Sequence, residues 1–595
     1  MSDQRNLILA IILSVAILVG FQYFYGKPEL GPGHEAALHQ QTQGQAGHGA
    51  TSATTAPATS PAAMATPAEA GGTAPGALTT PPVQPTAAAV AAVPAPRIAI
   101  LSQLLHGSLS LRGDRFDDLS LSDYHKTVDP KSPDIVLLQP PGTAAPYFAE
   151  YGWTVKPGSP VALPGPDTLW QTTDTELTPT HPVTLTYDNG QGLHFIRTIS
   201  LDSHYMFEVV QKVENKGSTP VTLYPYGLIT REGDPPTSPY YLLHEGPVGV
   251  LDGTLKEHAY KDLVKEGRIS LSTTGGWFGF TDKYWLAALI PGQNTTFTAT
   301  YQHRLGGPLK NIYQADYLGS AVTIQPGASA STTDRLFAGA KEVTLLDQYE
   351  KQDGIKRFDL AIDWGWFYFL TKPIFFALDY FYRLLGNFGL AIMLFTVLLK
   401  AAFFPLANKS YASMSKMKKL QPEMKKLKER FGDDKTALNQ EMMALYKTQK
   451  VNPASGCLPM LLQVPVFFAL YKVLYITIEM RHAPFFGWIK DLSAPDPTTI
   501  LNLFGLIHWT PPPSTPHFLM LGAWPIAMGI SMFLQQRLNP QPVDPAQAKI
   551  FLLMPIFFTF LLGNFPCGLV IYYTWNNLLT MAQQWMIMRR MGVKP

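Results

Sequence analysis

Cysteine is scarce in this sequence, with two residues among 595, so a fold held together by disulfides is excluded. An excess of charge of one sign is also lacking, because the formal net charge is only +2. A global basic field for nucleic acid is therefore excluded. The phosphate-binding motif G-x-x-x-x-G-K-[ST] does not occur, so an ATPase cycle is not expected. Neither enzymatic activity nor a cofactor is predicted.

Hydrophobic residues make up 46% of the chain, an ordinary share that is unevenly distributed. One apolar run extends from Leu7 to Tyr25, and apolar stretches recur between Phe388 and Ile587. Both regions are long enough to span lipid. The first run ends without an A-x-A-like cleavage site, so residues 1–26 are predicted to form an uncleaved anchor with its amino terminus in the cytoplasm.

Two regions of different composition follow the predicted anchor. Residues 27–96 are rich in Ala, Pro, Thr, Gly and Gln, which predicts a disordered tether. Residues 97–350 show period-two alternation, most clearly in a predicted hairpin and in two further predicted strands. This region is therefore predicted to be a folded β-sandwich domain. The hairpin and strands are Val183–Tyr187 with Leu193–Leu201, Tyr205–Glu214 and Val221–Tyr226.

The last part of the chain is predicted to lie on and in a membrane. Residues 356–385 mix aromatic side chains with Lys372, Asp379 and Arg383, which suits a helix lying in the outer interface. Five spans are predicted after it. With the anchor they give six spans and both termini in the cytoplasm. Their approximate bounds are 387–408, 458–480, 517–537, 550–565 and 568–588.

The loops set this orientation because Lys and Arg stay on the cytoplasmic side. Residues 408–456 hold eleven cations against five acids, whereas the loop at 482–516 holds one cation against two acids. Apolar residues spaced three and four apart over 409–451 predict a cytoplasmic helical hairpin, which Pro422 either interrupts or begins. The hairpin charges form either a solvated face or a contact with anionic lipid or a nascent chain. The candidates for such a contact are Lys418, Lys419, Lys425 and Lys426.

Lys400 carries the functional prediction. It lies about 13 Å along the helix from Lys409, within the second predicted span. An ammonium at that depth costs roughly 2.5 to 3.5 kcal/mol unless it is hydrated or paired, and snorkelling covers only part of the distance. The other core spans contain no acid except Glu479. Water is the remaining partner, so a polar groove open to the cytoplasm is predicted.

Polar side chains of the other spans are candidates to line that groove, and two tyrosines either contact a passing helix or anchor the packing. The fifth span has only about 16 apolar residues, so the bilayer beside it is expected to be thin. Lys472 is interpreted as snorkelling outward and pairing weakly with Glu479. The groove candidates are Lys400, Thr396, Gln463, Ser531, Gln535, Tyr572, Tyr573, Asn576 and Asn577.

Several runs resemble the signatures of YidC-type membrane protein insertases. Asn452–Pro459 and Gln463–Tyr471 resemble the third-span signature, and Phe565–Tyr573 resembles that of the sixth span. Gly386–Gly389 and Glu441–Lys447 match as well. The resemblance covers the chain from about residue 359 to residue 590.

The resemblance implies a five-helix insertase core with a hydrophilic groove that faces the cytoplasm and lipid and is closed towards the periplasm. It also implies that the periplasmic domain is an all-β supersandwich similar to sugar-binding mutarotase folds. With the spans and the cytoplasmic helical hairpin predicted above, the expected fold is a polytopic α-helical membrane protein with six spans. The family usually has arginine where Lys400 stands; lysine keeps the charge but lacks the planar fork of donors. Implied partners are nascent membrane proteins, the Sec translocon and anionic lipids. Ribosome contact is expected to be weak, because only five residues follow Arg590.

Two other functions remain open from the residues alone. A solute transporter could use Lys400, although the internal repeats and paired acids expected of one are not found. Alternatively, the chain could be a periplasmic sugar-active or sugar-binding enzyme that is held by its anchor. This alternative would leave five spans unexplained, and the polar residues of the β-sandwich, including His244 and Glu245, are interpreted as surface or loop residues without catalytic spacing.

Overall fold

The structure is a computed structural model. It describes residues 95–592 except 239–242, 432–433, 450, 452–457, 508, 510–511, 513–514, 516–518 and 540–544. The predicted anchor at 1–26 and nearly all of the predicted tether at 27–96 lie outside these residues, as does Cys457.

Strands occupy the first half of the described chain, between residues 97 and 340. They are β1 (Arg97–Leu101), β2 (Leu105–Ser110), β3 (Arg115–His125), β4 (Asp134–Leu138), β5 (Tyr147–Thr154), β6 (Glu176–Leu177), β7 (Val183–Asp188), β8 (Leu193–Leu201), β9 (Met206–Asn215), β10 (Val221–Glu232), β11 (Gly246–Leu251), β12 (Thr254–Glu257), β13 (Arg268–Thr274), β14 (Gly276–Thr281), β15 (Trp285–Ile290), β16 (Thr296–Leu305), β17 (Asn311–Gly319), β18 (Val322–Ile324) and β19 (Ser329–Ala340).

The strands form two sheets, so the predicted β-sandwich is confirmed. One sheet has the order β13-β16-β17-β10-β5-β3-β2-β1-β6, with β18 beside β10 and β4 beside β3. The other has the order β12-β11-β14-β15-β19-β9-β8-β7. The predicted hairpin is β7 and β8, in which Val183 faces Ile199. Alternate residues of β8 are buried because one face of the strand packs on the core.

The two further predicted strands are β9 and β10, and they lie in different sheets. The side chain of Asn215 stabilises the connection between these two strands, where the chain passes from one sheet to the other. Its side-chain amide donates to the carbonyl of Thr219 at 2.8 Å and to that of Ile324 at 3.0 Å. Aromatic rings fill the space between the sheets, as where Phe116 meets Phe207 at 5.3 Å between ring centroids.

Helices occupy most of the chain after β19. They are α1 (Tyr260–Glu266, within the β-domain), α2 (Val343–Gln352), α3 (Tyr368–Leu385), α4 (Phe388–Ala402), α5 (Phe404–Phe431), α6 (Lys435–Thr448), α7 (Leu458–Ile476), α8 (Ala523–Leu538), α9 (Pro545–Leu562) and α10 (Cys567–Arg590). Short 3₁₀ turns occur at Phe358–Ala361, Ile478–Met480 and Leu503–Gly505.

By length and hydropathy, none of the described helices could cross a membrane as one straight segment; α4 and α5 meet the test as a pair bent by 70°. The helix that corresponds to the second predicted span, 387–408, ends at Ala402. Pro405 contributes to the bend, because it has no N–H to donate to the carbonyl of Ala401.

Other boundaries also differ from the predictions. The interfacial helix predicted over 356–385 begins only at Tyr368, after a 3₁₀ turn. The fourth span, predicted from 517, begins as a helix at Ala523. Pro422 lies inside the continuous helix α5, which answers the question that the sequence left open. Asp434 begins α6, because its carboxylate accepts hydrogen bonds from the N–H groups of Thr436 and Ala437.

Candidate functional site

A pocket that is open on one side lies beside Lys400. Its walls come from four helices, of which α4 and α5 are adjacent in sequence while α7 and α10 are distant from them. Helix α4 and the bend after it supply one side, and α5, α7 and α10 supply the others. The lining residues are Leu399, Lys400, Phe403, Leu406, Ala407, Tyr411, Gln463, Val466 and Asn576.

The Lys400 ammonium donates a hydrogen bond to the hydroxyl of Thr580 at 2.8 Å. Thr580 in turn donates to the backbone carbonyl of Asn576 at 2.7 Å, one helical turn earlier on α10. No carboxylate among the described residues forms an ion pair with Lys400. A partly buried charge with one neutral hydroxyl partner still has two N–H donors to satisfy, so the pocket must supply water or a ligand.

Gln463 faces Lys400 across the pocket and connects it to one of the predicted tyrosines. Its side-chain amide donates to the Tyr572 hydroxyl at 3.3 Å. Tyr572 is otherwise buried. Tyr573 packs on Phe467 with ring centroids 4.9 Å apart. Of this pair Tyr572 therefore adjoins the pocket wall, while Tyr573 holds α10 against α7.

Four of the remaining candidates lie outside the pocket lining. The Asn577 amide donates to the Ser531 hydroxyl at 2.9 Å, and this buried bond joins α10 to α8. Thr396 is fully buried and its hydroxyl donates to the carbonyl of Ile392 within α4. Gln535, on α8, is partly exposed. Asn576 is the remaining candidate that reaches the pocket directly, beside Lys400 and Gln463.

Two polar residues at this site were not predicted: Thr580, which bonds to Lys400, and Tyr411, which lines the pocket. Thr580 lies four residues after Asn576, so helical spacing alone places it on the same face of α10, and this signal could have found it. Tyr411 lies beyond the bend and lines the pocket. Its position could not be inferred from a straight second span.

Comparison with known proteins identifies the family. The family model "YidC periplasmic domain" matches residues 97–377, and "60Kd inner membrane protein" matches residues 380–594. The "Membrane protein insertase YidC" of Methylobacterium sp. (strain 4-46) is 51% identical, covering 100% of this chain and 96% of that protein.

The chain belongs to the YidC family of membrane protein insertases.

The protein of the same name from Methylorubrum extorquens (strain PA1) is 52% identical over 100% of this chain and 96% of its own length. A solved structure titled "Active YidC insertase crystal structure with the first transmembrane domain resolved" matches with a TM-score of 0.33 at 19% identity. The match covers 82% of this chain and 92% of that chain. The transporter alternative gains no support from these relatives.

The second lysine of the YidC core corrects a prediction. Lys472 does not pair with Glu479; its ammonium donates to the Asp363 carboxylate at 2.8 Å. Burial alone would raise the pKa of Asp363, but the charge and hydrogen bond of Lys472 hold that pKa below its ordinary value. Glu479 instead accepts a hydrogen bond from the N–H of Val343 at 2.9 Å. The pairing of Lys472 with Asp363 was not predicted from sequence, because the two residues are 109 positions apart.

The same ion pair joins the periplasmic domain to the YidC core. The backbone N–H of His244 donates to the Asp363 carboxylate at 3.0 Å, and burial lowers the pKa of His244. Glu245 accepts from the N–H of Lys283 at 3.1 Å. These two residues lie in a loop, as predicted, but they help to build the junction between the domains.

The four candidate lysines of the predicted hairpin divide into two kinds. Lys419 donates to the carbonyl of Met591 at 2.9 Å, just after the end of α10, where a cation stabilises the unpaired carbonyls of a helix terminus. Lys425 and Lys426 are exposed, and Lys418 is partly exposed. Lys425 and Lys426 thus have the accessibility that a lipid or client contact needs.

Among the described residues, one cluster of three carboxylates has the spacing of a metal site. Ligand oxygens of Asp347, Glu350 and Asp359 lie within 4.8 Å of one another. The Lys372 ammonium already occupies this position, at 2.8 Å from Asp347 and 2.7 Å from Asp359. The carboxylates of Asp347 and Asp359 are thus already paired with a cation. A metal ion would have to displace Lys372.

Proposed function

We propose that this YidC protein inserts membrane proteins by admitting their hydrophilic segments, for a short time, into the pocket around Lys400. The observation that carries the proposal is an ammonium with no carboxylate partner among the described residues, bordering an open pocket between helices. A structural lysine would be satisfied by its neighbours, whereas Lys400 retains donors for an incoming group.

The pocket lowers the cost of moving polar groups by offering them partners inside the helical core. Backbone carbonyls and carboxylates of a client can accept from Lys400, and Gln463 and Asn576 can exchange amide hydrogen bonds with the client backbone. The apolar helix of the client meanwhile enters lipid, and its transfer from water supplies the driving force. Nucleotide hydrolysis is not needed for this cycle.

We propose that the core crosses the membrane with the hairpin on the cytoplasmic side and the β-domain on the periplasmic side. Contacts at opposite ends of the helices support this arrangement. The hairpin touches the end of α10 through Lys419 and Met591. The β-domain touches the segment after α7, where the Arg481 guanidinium donates to the carbonyl of His125. The six-span count, with both termini in the cytoplasm, stays a prediction.

We also propose that the exposed hairpin cations Lys425 and Lys426 bind anionic lipid headgroups at the cytoplasmic surface. Each cation near such a surface is worth about 1 kcal/mol. Cooperation with the Sec translocon and a weak ribosome contact stay predictions.

The experiment that tests insertion is depletion of the protein in cells that express a small client with one or two spans. We expect the client to remain uninserted, which protease protection of its translocated segment measures. Re-expression of the unchanged protein should restore protection. Normal insertion in depleted cells would refute the proposal.

A further inference from the structure

An apolar loop at residues 499–507 stands between α7 and α8 at the end of the core that faces the β-domain. The sequence between Pro497 and Ile507 contains no charged residue. Large apolar side chains nevertheless project outward from it, with Leu506 81% exposed. The others are Ile500, Leu503, Phe504 and Ile507.

Five consecutive backbone donors of this loop form hydrogen bonds within the loop. The N–H groups of Leu503 to Ile507 donate to carbonyls within residues 499–503 at 2.9 to 3.3 Å. The Asn502 carboxamide oxygen also accepts from the N–H groups of Thr499 and Gly505. These donors do not need water, which lowers the cost of placing this part of the loop in lipid.

The conformation that exposes the apolar side chains is held against a local preference. Leu503 and Phe504 have φ angles of +48° and +58°, a region that bulky residues rarely adopt. Asn502 fixes the turn through the hydrogen bonds of its side chain. A loop that only needed to connect two helices could fold its leucine and phenylalanine side chains inward, and this one directs them away from the protein.

Two capping contacts hold the loop at the start of α8. The Asp496 carboxylate accepts from the N–H of Trp524 at 2.9 Å, and the Thr498 hydroxyl accepts from the N–H of Ala523 at 3.0 Å. The indole of Trp488 donates to the same Asp496 at 3.2 Å while its ring stays half exposed. Tryptophan with one polar contact and an exposed ring is typical of the membrane–water boundary.

We propose that the loop 499–507 is a membrane anchor, whose apolar side chains enter the outer leaflet beside α8. Lipid is the partner that fits, because the surface is uncharged, has no unsatisfied backbone donor from Leu503 to Ile507 and continues the apolar surface of a helix of the inner-membrane core. The anchor would hold the periplasmic end of α8 at a fixed depth. The proposal does not depend on the Lys400 pocket.

The test is spin labelling of the full-length protein in nanodiscs of phosphatidylethanolamine and phosphatidylglycerol. Cys457 and Cys567 are first replaced by serine, and Leu506→Cys carries the nitroxide. Leu553→Cys on the exposed face of α9 provides the lipid reference, and Val128→Cys in the β-domain provides the water reference. Power saturation compares collisions of each label with oxygen and with a water-soluble nickel chelate.

We expect the ratio of oxygen to nickel accessibility at Leu506→Cys to equal that at Leu553→Cys and to exceed that at Val128→Cys several-fold. A ratio equal to that at Val128→Cys would overturn the proposal, since the loop would then face water. Protection from both reagents would overturn it as well, because a protein partner would then cover the loop. Ile507→Cys repeats the measurement in case Leu506→Cys disturbs the turn.

Discussion

Lys400 and Lys472 both lie within helices of the insertase core, but their surroundings differ. Lys472 ends on the Asp363 carboxylate at 2.8 Å, within a junction that also contains the backbone of His244. Lys400 ends on the Thr580 hydroxyl at 2.8 Å and borders an open pocket. An ion pair fixes the first lysine as a structural element, whereas the second keeps donors for other groups.

The difference shows that depth in a span does not decide the role of a charge. From sequence, both residues are lysines within predicted spans. The role of each lysine depends on its partner. The partner of Lys472 is Asp363, which lies outside both predicted spans. The two lysines should therefore respond in opposite ways to removal of charge: one through insertion activity and the other through stability.

The largest effect is expected for Lys400→Leu. Loss of the only cation bordering the described pocket should reduce client insertion about tenfold or more, equivalent to at least about 1.4 kcal/mol. Insertion of a small client in depleted cells measures this. Lys400→Arg should keep most activity because it keeps the charge. Lys490→Leu, at an exposed position on the loop between α7 and α8, is the matched control. Full insertion with Lys400→Leu would contradict the claim that Lys400, unlike Lys472, acts in insertion.

Lys472→Met should act on stability instead. It leaves the Asp363 carboxylate partly buried without its cation, at a cost of about 1 to 3 kcal/mol. Thermal unfolding in detergent should show a lower Tm. The double variant Lys472→Met with Asp363→Asn should recover part of the loss, because no unpaired charge remains. A single variant as stable as the unchanged protein would show that the pair is not structural.

The contribution of this pair should also depend on pH. The pKa of Asp363 is depressed in the folded protein below its ordinary value of 3.8. The stabilisation is thus complete above the ordinary value and is lost as the pH falls through the depressed one. We expect the Tm difference between the unchanged protein and Lys472→Met to be constant near neutral pH and to shrink in strong acid. A difference that grows in acid would contradict this.

A smaller effect is expected for Thr580→Val, which removes the hydroxyl that accepts from Lys400. The loss of one hydrogen bond to a charge that can still be hydrated should cost about 0.5 to 1.5 kcal/mol, or roughly a two- to tenfold drop in insertion. Thr574→Val is the matched control, because that hydroxyl is buried in the same helix and donates to the carbonyl of Val570. Equal effects of the two variants would show that the Lys400 contact is unimportant.

Local patterns were predicted well from sequence, and long-range contacts were not. The hairpin of β7 and β8 was predicted because alternation and an Asp-Asn-Gly turn are encoded within a few residues. The pairing of β10 with β5 and β17 was not, because no local signal specifies strands from distant parts of the chain. Lys400, Gln463 and Asn576 were predicted as groove residues from polarity within apolar helices.

The pocket's other features arise from tertiary structure. Tyr411 reaches the pocket only because α4 and α5 bend by 70°. Ser531 and Asn577 have the same polarity signal as Asn576, yet they bond to each other between α8 and α10. A polar residue in an apolar helix therefore indicates either a groove or a hydrogen bond between helices, and sequence alone does not separate the two.

Crosslinking to a stalled client tests the central claim most directly. A photoreactive amino acid at position 463, in the pocket wall, is compared with one at position 578, on the exposed face of α10. The nascent chain is stalled with only its hydrophilic segment available. The account predicts crosslinks from position 463 and none from position 578, with loss of the former in Lys400→Leu. Equal crosslinking from both positions, or none from position 463, would contradict it.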